Sequence, residues 1–442
     1  MEITGLTGIF AKPLKSAPIR WQGHPVTVIS LGCSERSVLP EAAVDGIRRA
    51  DLVLGARHHL KEIAHIETDA EQHLFPSPFS ALREILEANQ GRRIIVLASG
   101  DALLYGIGTW LNRIVGREHL VFHPNLSSIQ YCFHAIGLPW QQAEIVSLHG
   151  RPLKTLRRHI RHNHLIAVIT DDQSSPDRIA GELCRQGYGE SRMWVCEAMG
   201  RSEQQIRQST AAALSRSGRS FHPLNVCIIL QKRAREMTQP PLPVFPGIAD
   251  HLFATGSKPG YGMISKRETR LAILSLMQPE SGEIAWDIGA GCGSVSVEWA
   301  RWNDRGQIYA IEQSPTRMDR IRDNSERFGT TLNLTPVQGT APDCCDALPD
   351  PDAVFVGGSG GLAAMLAYAW DRLKPGGKLV ASAVTDPSQA ALAAFYQDKP
   401  AREWITLAVE KNLPDRLETR SLAPVTIAKC VRPAEPAGAS PP

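Results

Sequence analysis

The sequence predicts an α/β protein made of two consecutive units, the second of them a Rossmann-like, doubly wound parallel sheet. Three observations lead to this prediction. Apolar runs of strand length alternate with helix-like stretches in both halves of the chain, a pattern typical of parallel sheets. A turn that contains glycine follows the first apolar strand of each half, with one glycine in the first half and three in the second. Between the halves lie four prolines within residues 240–246, and such a stretch suits neither a helix nor a central strand.

The length of the chain agrees with this division. A chain of 442 residues is too long for one ordinary core and suits two domains, or three compact lobes. We therefore predict a domain at 25–233, a linker at 234–256 and a second domain at 257–432. The tail at 433–442 is rich in proline and alanine and is predicted to be disordered.

The N-terminal half begins with a predicted strand that starts at Val26 and runs into a turn at Gly32. The next predicted elements are a helix at 40–50 and strands at 52–55, 93–98, 165–169, 193–196 and 225–230. The strand at 93–98 leads into Ser99-Gly100-Asp101, and two further glycines follow by residue 108. A long strand that opens into such a loop lets main-chain groups face a small ligand.

The most informative run of the C-terminal half is Trp286-Asp287-Ile288-Gly289-Ala290-Gly291-Cys292-Gly293-Ser294. An apolar strand ends in Asp287, three glycines follow at alternate positions, and a helix is predicted over 295–301. Glycines let the backbone turn sharply and let a ligand approach without a Cβ in the way. Glu312 ends the next apolar run, 307–311, where an acid can accept hydrogen bonds from both ribose hydroxyls. The pattern predicts a nucleoside pocket.

The spacing of these glycines favours S-adenosylmethionine over NAD. In a dinucleotide site the glycines read Gly-x-Gly-x-x-Gly, whereas here the third glycine comes one residue early. A tight strand-to-helix turn without a ligand is the alternative, but strand, glycines, helix, strand and acid occur here in the order of a pocket. The alternation continues through a strand at 353–356, a helix at 362–373, a turn at 374–377 and a strand at 378–383, which implies a parallel sheet.

Composition excludes several classes of protein. Apolar residues at 43% and charged residues at 21% are typical of a soluble globular protein, and a net charge of +3 creates no general attraction for nucleic acid. The sequence contains no uninterrupted run of eighteen apolar residues, the length that a membrane-spanning helix needs. The residues before Val26 lack the apolar core and cleavage site of a secretory signal, so we expect a cytoplasmic protein without a membrane partner.

Cysteine and histidine patterns predict no metal site. The nine cysteines include no Cys-x-x-Cys pair, which indicates neither a zinc site nor a disulfide framework. The 14 histidines show no metal-ligand spacing. We interpret the pair His58-His59 and the trio His159, His162 and His164 as exposed residues at helix ends.

The N-terminal half resembles the tetrapyrrole methylase family, over about residues 25–233. The resemblance lies in Val96-Leu97-Ala98-Ser99-Gly100-Asp101, Pro124-Asn125-Leu126-Ser127-Ser128 and Ser147-Leu148-His149-Gly150-Arg151-Pro152. It implies a fold of two α/β lobes with S-adenosylmethionine in the cleft between them. Ala102 stands where the family usually has proline. The resemblance implies that these residues line the cofactor: Gly32, Gly100, Asp101, Leu104, Gly106, Ile107, Ser127 and Ser128.

The C-terminal half, from about 256 to 431, resembles the decarboxylating corrin methyltransferases. The resemblance lies in Ser265-Lys266-Arg267-Glu268, in the run from Asp287 to Ser294 and in Ala353-Val354-Phe355-Val356-Gly357-Gly358. It implies a second S-adenosylmethionine, held by the following residues: Ser265, Asp287, Gly289, Ala290, Gly291, Cys292, Gly293, Glu312 and Ala341. Thr340 replaces an acid that is common in the family and could bond the adenine amino group. Adenine is therefore expected to rely on backbone and packing.

Together the two resemblances imply an enzyme of cobalamin biosynthesis that methylates carbons 5 and 15 of precorrin-6B and removes the ring C acetate carboxylate. They assign carbon 5 to the N-terminal half, and carbon 15 with the decarboxylation to the C-terminal half. Such a reaction depends mainly on orienting a nucleophilic carbon, so few catalytic side chains are expected.

The implied substrate carries several carboxylates, which arginine and lysine side chains bind. Lys266 and Arg267 are therefore the candidate catalytic cations, with Arg270 as a further candidate beside the second pocket. Glu268 could shuttle a proton, and an ion pair with Arg267 or Arg270 is the alternative for this carboxylate.

The sequence leaves two other functions open. An RNA methyltransferase is the first alternative, because relatives of both halves act on RNA. It predicts a basic stripe with stacking aromatics and, for amino-group targets, an Asn-Pro-Pro-aromatic motif, but that motif is absent and aromatics are 6%. A non-catalytic cofactor-binding or scaffold protein is the second. Relatives of the C-terminal half form oligomers, so self-association is expected, with a corrinoid small molecule rather than nucleic acid as the partner.

Overall fold

The computed structural model describes residues 18–234, 246–256, 262, 264–358, 360–412 and 419–434. Its contacts divide the chain into two compact units. One contains almost all described residues before position 239, and the other contains those after position 240. Residues 235–245 of the predicted linker and 435–442 of the predicted tail lie outside the described residues.

The N-terminal unit begins with a five-stranded sheet in which every neighbouring pair of strands is parallel. Its strands are β1 (Val26–Ser30), β2 (Leu52–Gly55), β3 (Glu71–Leu74), β4 (Ile94–Ala98) and β5 (Leu120–His123). Their order is β3-β2-β4-β1-β5. The helices that connect them are α1 (Glu41–Arg48), α2 (Arg57–Ile63), α3 (Leu82–Ala88) and α4 (Ile107–Ile114). Apolar clusters cover both faces of β1 and β4, as their nearly continuous apolar sequences require.

A second five-stranded sheet completes this unit. Its strands are β6 (Glu144–Ser147), β7 (Leu165–Ile169), β8 (Arg192–Glu197), β9 (Gln205–Thr210) and β10 (Asn225–Leu230). The order is β6-β7-β10-β8-β9, with only β6 and β7 parallel. Its helices are α5 (Ser128–Ile136), α6 (Pro176–Arg185) and α7 (Ala211–Leu214), and 3-10 helices occur at Phe79–Ala81, Arg117–His119 and Leu153–His159. Two α/β lobes, as the sequence predicts, are thus confirmed.

Helix α5 is the element that connects the two sheets. It follows β5 of the first sheet, yet its apolar side chains Ile129, Cys132 and Phe133 pack against Val226 and Ile228 of the second sheet. All five side chains are buried. The start of α5 is therefore fixed at the point where the two lobes meet.

The C-terminal unit contains a seven-stranded sheet. Its strands are β11 (Ile284–Ile288), β12 (Gln307–Glu312), β13 (Leu334–Gln338), β14 (Ala353–Val356), β15 (Lys378–Ala383), β16 (Glu403–Leu407) and β19 (Val425–Val431), and β17 (Glu410–Asn412) pairs with β18 (Thr419–Ser421) in a separate hairpin. The sheet order is β13-β12-β11-β14-β15-β19-β16. The first five strands are parallel, and β19 runs antiparallel to both its neighbours.

The helices of this unit alternate with its strands. They are α8 (Arg267–Met277), α9 (Ser294–Trp302), α10 (Pro315–Phe328), α11 (Leu362–Arg372) and α12 (Asp386–Tyr396), with 3-10 helices at Asp250–Leu252 and Asp343–Cys345. Apolar clusters lie on both faces of the sheet. The predicted Rossmann-like, doubly wound fold is confirmed, and the antiparallel strand β19 is an addition that the βα alternation did not indicate.

The described part of the predicted linker is not an open spacer. Ile248, Leu252 and Phe253 are buried in the core of the C-terminal unit, where the Phe253 ring lies 4.9 Å from that of Phe328. The predicted linker is therefore too long at its C-terminal end. A proline-rich composition indicates that the chain is locally stiff. It does not indicate which nearby apolar residues become buried in the core of the next domain.

No helix in the described ranges is long and apolar enough to cross a membrane. Within the same ranges, no group of three or more histidine, cysteine, aspartate or glutamate side chains is arranged to hold a metal ion.

Candidate functional site

Two glycine loops of the N-terminal unit meet at the carboxyl edge of its parallel sheet. The neighbouring strands β1 and β4 lead into Gly32 and Gly100. The N–H of Gly100 donates to the carbonyl of Gly32 at 2.8 Å, and the N–H of Gly32 donates to that of Gly100 at 3.3 Å. Both glycines are in the left-handed region, with φ of +75° and +58°. The carboxyl edge of a parallel sheet is where such folds bind ligands.

The start of α5 completes this edge. A Cβ on Gly100 would lie 3.6 Å from the Cα of Ser127 and from the amide nitrogen of Ser128. Ser127 caps α5, because its hydroxyl accepts the N–H of Gln130 at 3.2 Å. The structure thus brings four predicted residues, Gly32, Gly100, Ser127 and Ser128, into direct proximity.

Of the other four predicted residues, Asp101, Leu104 and Gly106 lie in the loop between β4 and α4, and Ile107 is the first residue of α4. The carboxylate of Asp101 accepts the N–H of Leu103 at 2.8 Å, and its carbonyl accepts that of Leu104 at 3.1 Å. Gly106 precedes α4, which begins at Ile107. A Cβ on Gly106 would lie 2.5 Å from the carbonyl oxygen of Ala102. Glycine is required there because the loop folds back on itself.

Large apolar side chains beside these loops are exposed. Leu103 is 49% exposed, Tyr105 51%, Leu126 44% and Val38 86%. The carbonyl of Val38 accepts a hydrogen bond from the amide of Asn125 at 3.2 Å, which places Val38 beside the Leu126 loop. Exposed apolar side chains beside these loops suit an apolar partner. Sequence reasoning missed them because a pattern of residues does not show which apolar side chains stay uncovered.

In the C-terminal unit, the loop between β11 and α9 is shaped by glycines. Gly289 has a φ of +78°, and a Cβ there would overlap the carbonyl oxygen of Gly357, which follows the neighbouring strand β14. Gly293, with a φ of +76°, would bring a Cβ within 3.2 Å of the Ile321 side chain. The N–H groups of Gly289 and Ala290 both donate to the carbonyl of Ile311 at 3.0 Å. The loop is therefore clamped between β12 and β14.

Glu312 faces this loop from the end of β12. Its carboxylate accepts the N–H of Gly291 at 2.9 Å and the N–H of Ser314 at 3.0 Å. The side chain of Arg317 lies 3.4 Å from the same carboxylate. Glu312 is buried, and these contacts hold its carboxylate beside the glycines. The structure brings together the acid and the loop that the sequence paired.

Asp287 lies buried beneath the loop. Its Oδ2 accepts the hydroxyl of Ser296, whereas no partner for Oδ1 is found in the described part of the chain. Burial raises the pKa of Asp287 to about 7, with a smaller contribution from the negative charge of Glu312. Cys292, in the same loop, is also buried. Because buried polar atoms are normally hydrogen-bonded, the Oδ1 atom of Asp287 is a place where a hydrogen-bond donor would fit.

Ala341 lies after β13, at the same carboxyl edge. It is 7% exposed and belongs to the apolar cluster that contains Ile311 and Val356. Since β13 pairs with β12, Ala341 follows the strand next to the one that carries Glu312. Ala341 therefore offers an apolar packing surface at this position.

The predicted cation Arg270 has a structural role. It is fully buried, and its guanidinium donates to Asp250 and Glu298, at 2.7 Å each. It also donates to the carbonyls of Ile248 and Ser265. The expectation that Arg270 contacts a substrate carboxylate is therefore wrong, because its donors are already used within the protein.

Lys266 and Arg267 begin α8, with Lys266 as its N-terminal capping position. The Arg267 side chain is 50% exposed and lies 3.4 Å from Glu268. The other oxygen of Glu268 lies 2.8 Å from Lys411 in β17. The expected ion pair of Glu268 with Arg267 is confirmed. The alternative ion pair with Arg270 is wrong, because Arg270 pairs with Asp250 and Glu298. The ion pair with Lys411 could not be predicted, because it joins segments that lie far apart in the sequence. Burial opposes ionisation of Glu268, but the hydrogen bond from Lys411 lowers its pKa.

The histidines are not all exposed residues. His58 is exposed at the start of α2, as expected, but His59 beside it is buried. Half-buried His159 and His164 lie 2.6 and 2.7 Å from the two carboxylate oxygens of Glu144. The interpretation as exposed helix-end residues is therefore wrong for these three histidines. Tertiary contacts supply partners that the local sequence does not contain.

Comparison with known proteins agrees with the two halves. Residues 25–215 match the family described as Tetrapyrrole (Corrin/Porphyrin) Methylases, and residues 260–426 match the family described as Precorrin methyltransferase domain. A solved structure, precorrin-6Y C5,15-methyltransferase from Geobacter metallireducens, is 36% identical. It covers 42% of this chain and 97% of its own, with a TM-score of 0.39. The matched families make this chain a two-domain methyltransferase, a class of enzyme that uses S-adenosylmethionine.

Two relatives cover most of the chain. Precorrin-6Y C(5,15)-methyltransferase [decarboxylating] of Sinorhizobium sp is 36% identical over 83% of this chain and 86% of its own. The Mycobacterium tuberculosis protein of the same name is 30% identical over 84% of this chain and 90% of its own. The chain belongs to the precorrin-6Y C(5,15)-methyltransferase (decarboxylating) family.

Proposed function

We propose that this chain methylates carbons 5 and 15 of precorrin-6B and removes the ring C acetate carboxylate, a reaction of cobalamin biosynthesis. The N-terminal unit methylates carbon 5. The C-terminal unit removes the carboxylate and methylates carbon 15. The observation that carries this proposal is that each unit has its own glycine-shaped loop at the carboxyl edge of a parallel sheet.

Each loop has the features of a site for S-adenosylmethionine, so the proposal includes two molecules of it per chain. In the C-terminal unit, Glu312 binds the ribose hydroxyls, Gly289 and Gly291 let the ligand approach the backbone, and Ala341 packs against adenine. In the N-terminal unit, Gly32, Gly100 and the start of α5 form the corresponding wall. When bound, S-adenosylmethionine supplies an electrophilic methyl group on a positively charged sulfur.

The protein side chains mainly orient the macrocycle. In the N-terminal unit, the exposed apolar groups Leu103, Tyr105 and Leu126 contact its ring face. In the C-terminal unit, Lys266 and half-exposed Arg267 bind peripheral carboxylates. Holding a nucleophilic carbon in line with a methyl group supplies much of the rate enhancement.

Glu268 acts through its charge. Because Lys411 lowers its pKa, Glu268 is ionised at neutral pH and does not donate a proton there. It holds Arg267 in place instead, at 3.4 Å. This role replaces the proton shuttle that the sequence left open.

The test is the product stoichiometry. Purified protein, precorrin-6B and methyl-labelled S-adenosylmethionine should give two methyl additions and one CO₂ per macrocycle, read by mass spectrometry and by trapping labelled CO₂. Two methylations with the carboxylate retained would contradict the assignment to the C-terminal unit.

Partners complete the proposal. The substrate is a corrinoid small molecule, the chain associates with itself, its location is cytoplasmic, and nucleic acid is not a partner. The relatives do not favour an RNA methyltransferase. Light scattering after gel filtration checks self-association, and tight, salt-dependent RNA binding would revive the RNA alternative.

A further inference from the structure

A chain of three hydrogen-bonded side chains lies next to Gly100, outside the predicted cofactor residues. The hydroxyl oxygen of Ser99 lies 2.7 Å from Nε2 of His59 and 3.2 Å from Nε2 of His58. The two histidines begin α2, which follows β2, and Ser99 follows β4, the neighbour of β2. This triad therefore lies at the same sheet edge as Gly32 and Gly100.

The backbone sets the direction of these hydrogen bonds. The N–H of Ala56, which can only donate, bonds Nδ1 of His59 at 3.1 Å. A neutral His59 must then carry its proton on Nε2 and donate it to the Ser99 oxygen. The hydroxyl proton of Ser99 is left to point at Nε2 of His58. His58 is thereby arranged as the acceptor at the end of the chain.

The surroundings keep both histidines neutral. His59 is buried, and burial lowers its pKa to about 4. Partial desolvation of the His58 ring and the positive charge of Arg201 lower the pKa of His58. Arg201 itself lies 3.3 Å from Glu62 of α2, and burial raises the pKa of nearby Cys33 to about 11, so that thiol stays neutral. At neutral pH the exposed end of the triad is a neutral imidazole.

We propose that the Ser99 hydroxyl relays a proton from the macrocycle to His58 during methylation in the N-terminal unit, an inference that rests on the proposed function. The macrocycle carbon forms a bond to the methyl group, the sulfur–methyl bond breaks with its electron pair on sulfur, and the macrocycle loses one proton. The Ser99 oxygen takes that proton while its own moves to Nε2 of His58. His59 is a positioning residue, whose Nε2–H stabilises charge that develops on the Ser99 oxygen.

The first test needs no turnover. Nitrogen-15 NMR of histidine-labelled full-length protein should show His59 neutral as the Nε2–H tautomer down to about pH 4. In Ser99→Ala the pKa of His58 should rise, because the hydroxyl that bonds its neutral form is gone. A His59 proton on Nδ1, or an unchanged His58 pKa in Ser99→Ala, would overturn the proposed chain.

The second test is the pH dependence of methylation at each carbon, resolved by NMR of a carbon-13 methyl group. In the wild type, carbon-5 methylation should fall at low pH as His58 becomes protonated. In His58→Gln this low-pH limb should disappear and the plateau rate should drop about 100-fold. Ser99→Ala should show the same two changes as His58→Gln. Ser99→Thr keeps the hydroxyl and should retain most of the carbon-5 methylation rate. Carbon-15 methylation and CO₂ release in the same molecules should not change.

The matched control is His65→Gln. His65 is exposed just after α2 and bonds only the carbonyl of Glu62 among the contacts described, so this variant should keep the wild-type profile. An unchanged carbon-5 rate in His58→Gln, or a low-pH limb that persists in it, would overturn the relay. Absence of carbon-5 methylation in the wild type would instead refute the proposed function, and that outcome is visible before any variant is made.

Discussion

At the residue scale, Gly289 and Gly376 take nearly the same left-handed conformation, with φ of +78° and +79°. Their surroundings differ. A Cβ on Gly289 would overlap the backbone of Gly357, whereas a Cβ on Gly376 would have nothing within 4 Å. The same substitution at both positions therefore separates conformational strain from steric overlap.

We predict that Gly376→Ala costs about 1–2 kcal/mol of stability, from the positive φ alone. Gly289→Ala should cost about 1–3 kcal/mol more, because the carbonyl it meets is backbone and cannot turn away. Urea unfolding of the C-terminal unit, followed by tryptophan fluorescence, measures both. Equal losses in the two variants would show that the loop has room for a side chain.

Asp287 makes stability depend on pH. Its pKa is raised from 3.8 to about 7, so between these values the folded state binds more protons than the unfolded state. Stability then falls as pH rises through this window. Asp287→Asn removes that contribution. We predict that the variant becomes progressively more stable relative to the wild type from pH 4 to pH 7, as measured by unfolding at a series of pH values.

The control for this prediction is Asp319→Asn on α10, whose side chain is 68% exposed. Its stability difference from the wild type should stay nearly constant over the same range. If the stability difference between Asp287→Asn and the wild type were also constant over this pH range, Asp287 would be ionised in the folded protein at acidic pH.

At the element scale, the start of α8 carries two arginines with opposite roles. Arg270 is fully buried between Asp250 and Glu298, whereas Arg267 is half exposed. Arg270→Met leaves buried Glu298 and partly buried Asp250 without their cation, and we predict a loss of about 3–5 kcal/mol. Arg267→Met should change stability by less than about 0.5 kcal/mol. Thermal and urea unfolding of both variants check this, and similar stability of the two would contradict the buried network.

Elements with long apolar runs could be predicted closely from sequence. The strands β2, β7, β10, β14 and β15 have the predicted bounds, because strands that are buried on both faces of a sheet have nearly continuous apolar sequences. The hairpin β17–β18 was not predicted. Its short polar strands carry no periodic signal. The hairpin contributes Lys411, whose ion pair with Glu268 is a tertiary contact.

At the scale of the whole molecule, the central prediction is two binding events per chain. Calorimetry with S-adenosylhomocysteine should give a stoichiometry of two. Glu312→Gln should weaken one event about 10–100-fold and leave the other unchanged, because a hydrogen bond to a charged group contributes about 1.5–3 kcal/mol. Asp319→Asn, also an acid-to-amide change, should leave both events intact. A stoichiometry of one in the wild type would contradict a second cofactor site.

The sequence by itself determined where the chain turns and which strand ends carry an acid. Positive φ at Gly289 and the place of Glu312 after an apolar strand are local properties, so residue order is enough to predict them. Only the tertiary structure decided which charged and titratable groups are covered. From the sequence, Arg270 was a candidate cation beside the second pocket and His59 an exposed helix-end residue, and both are buried. Their partners, Glu298 and Ser99, lie far away along the chain, and burial and pairing across such separations depend on how the elements pack.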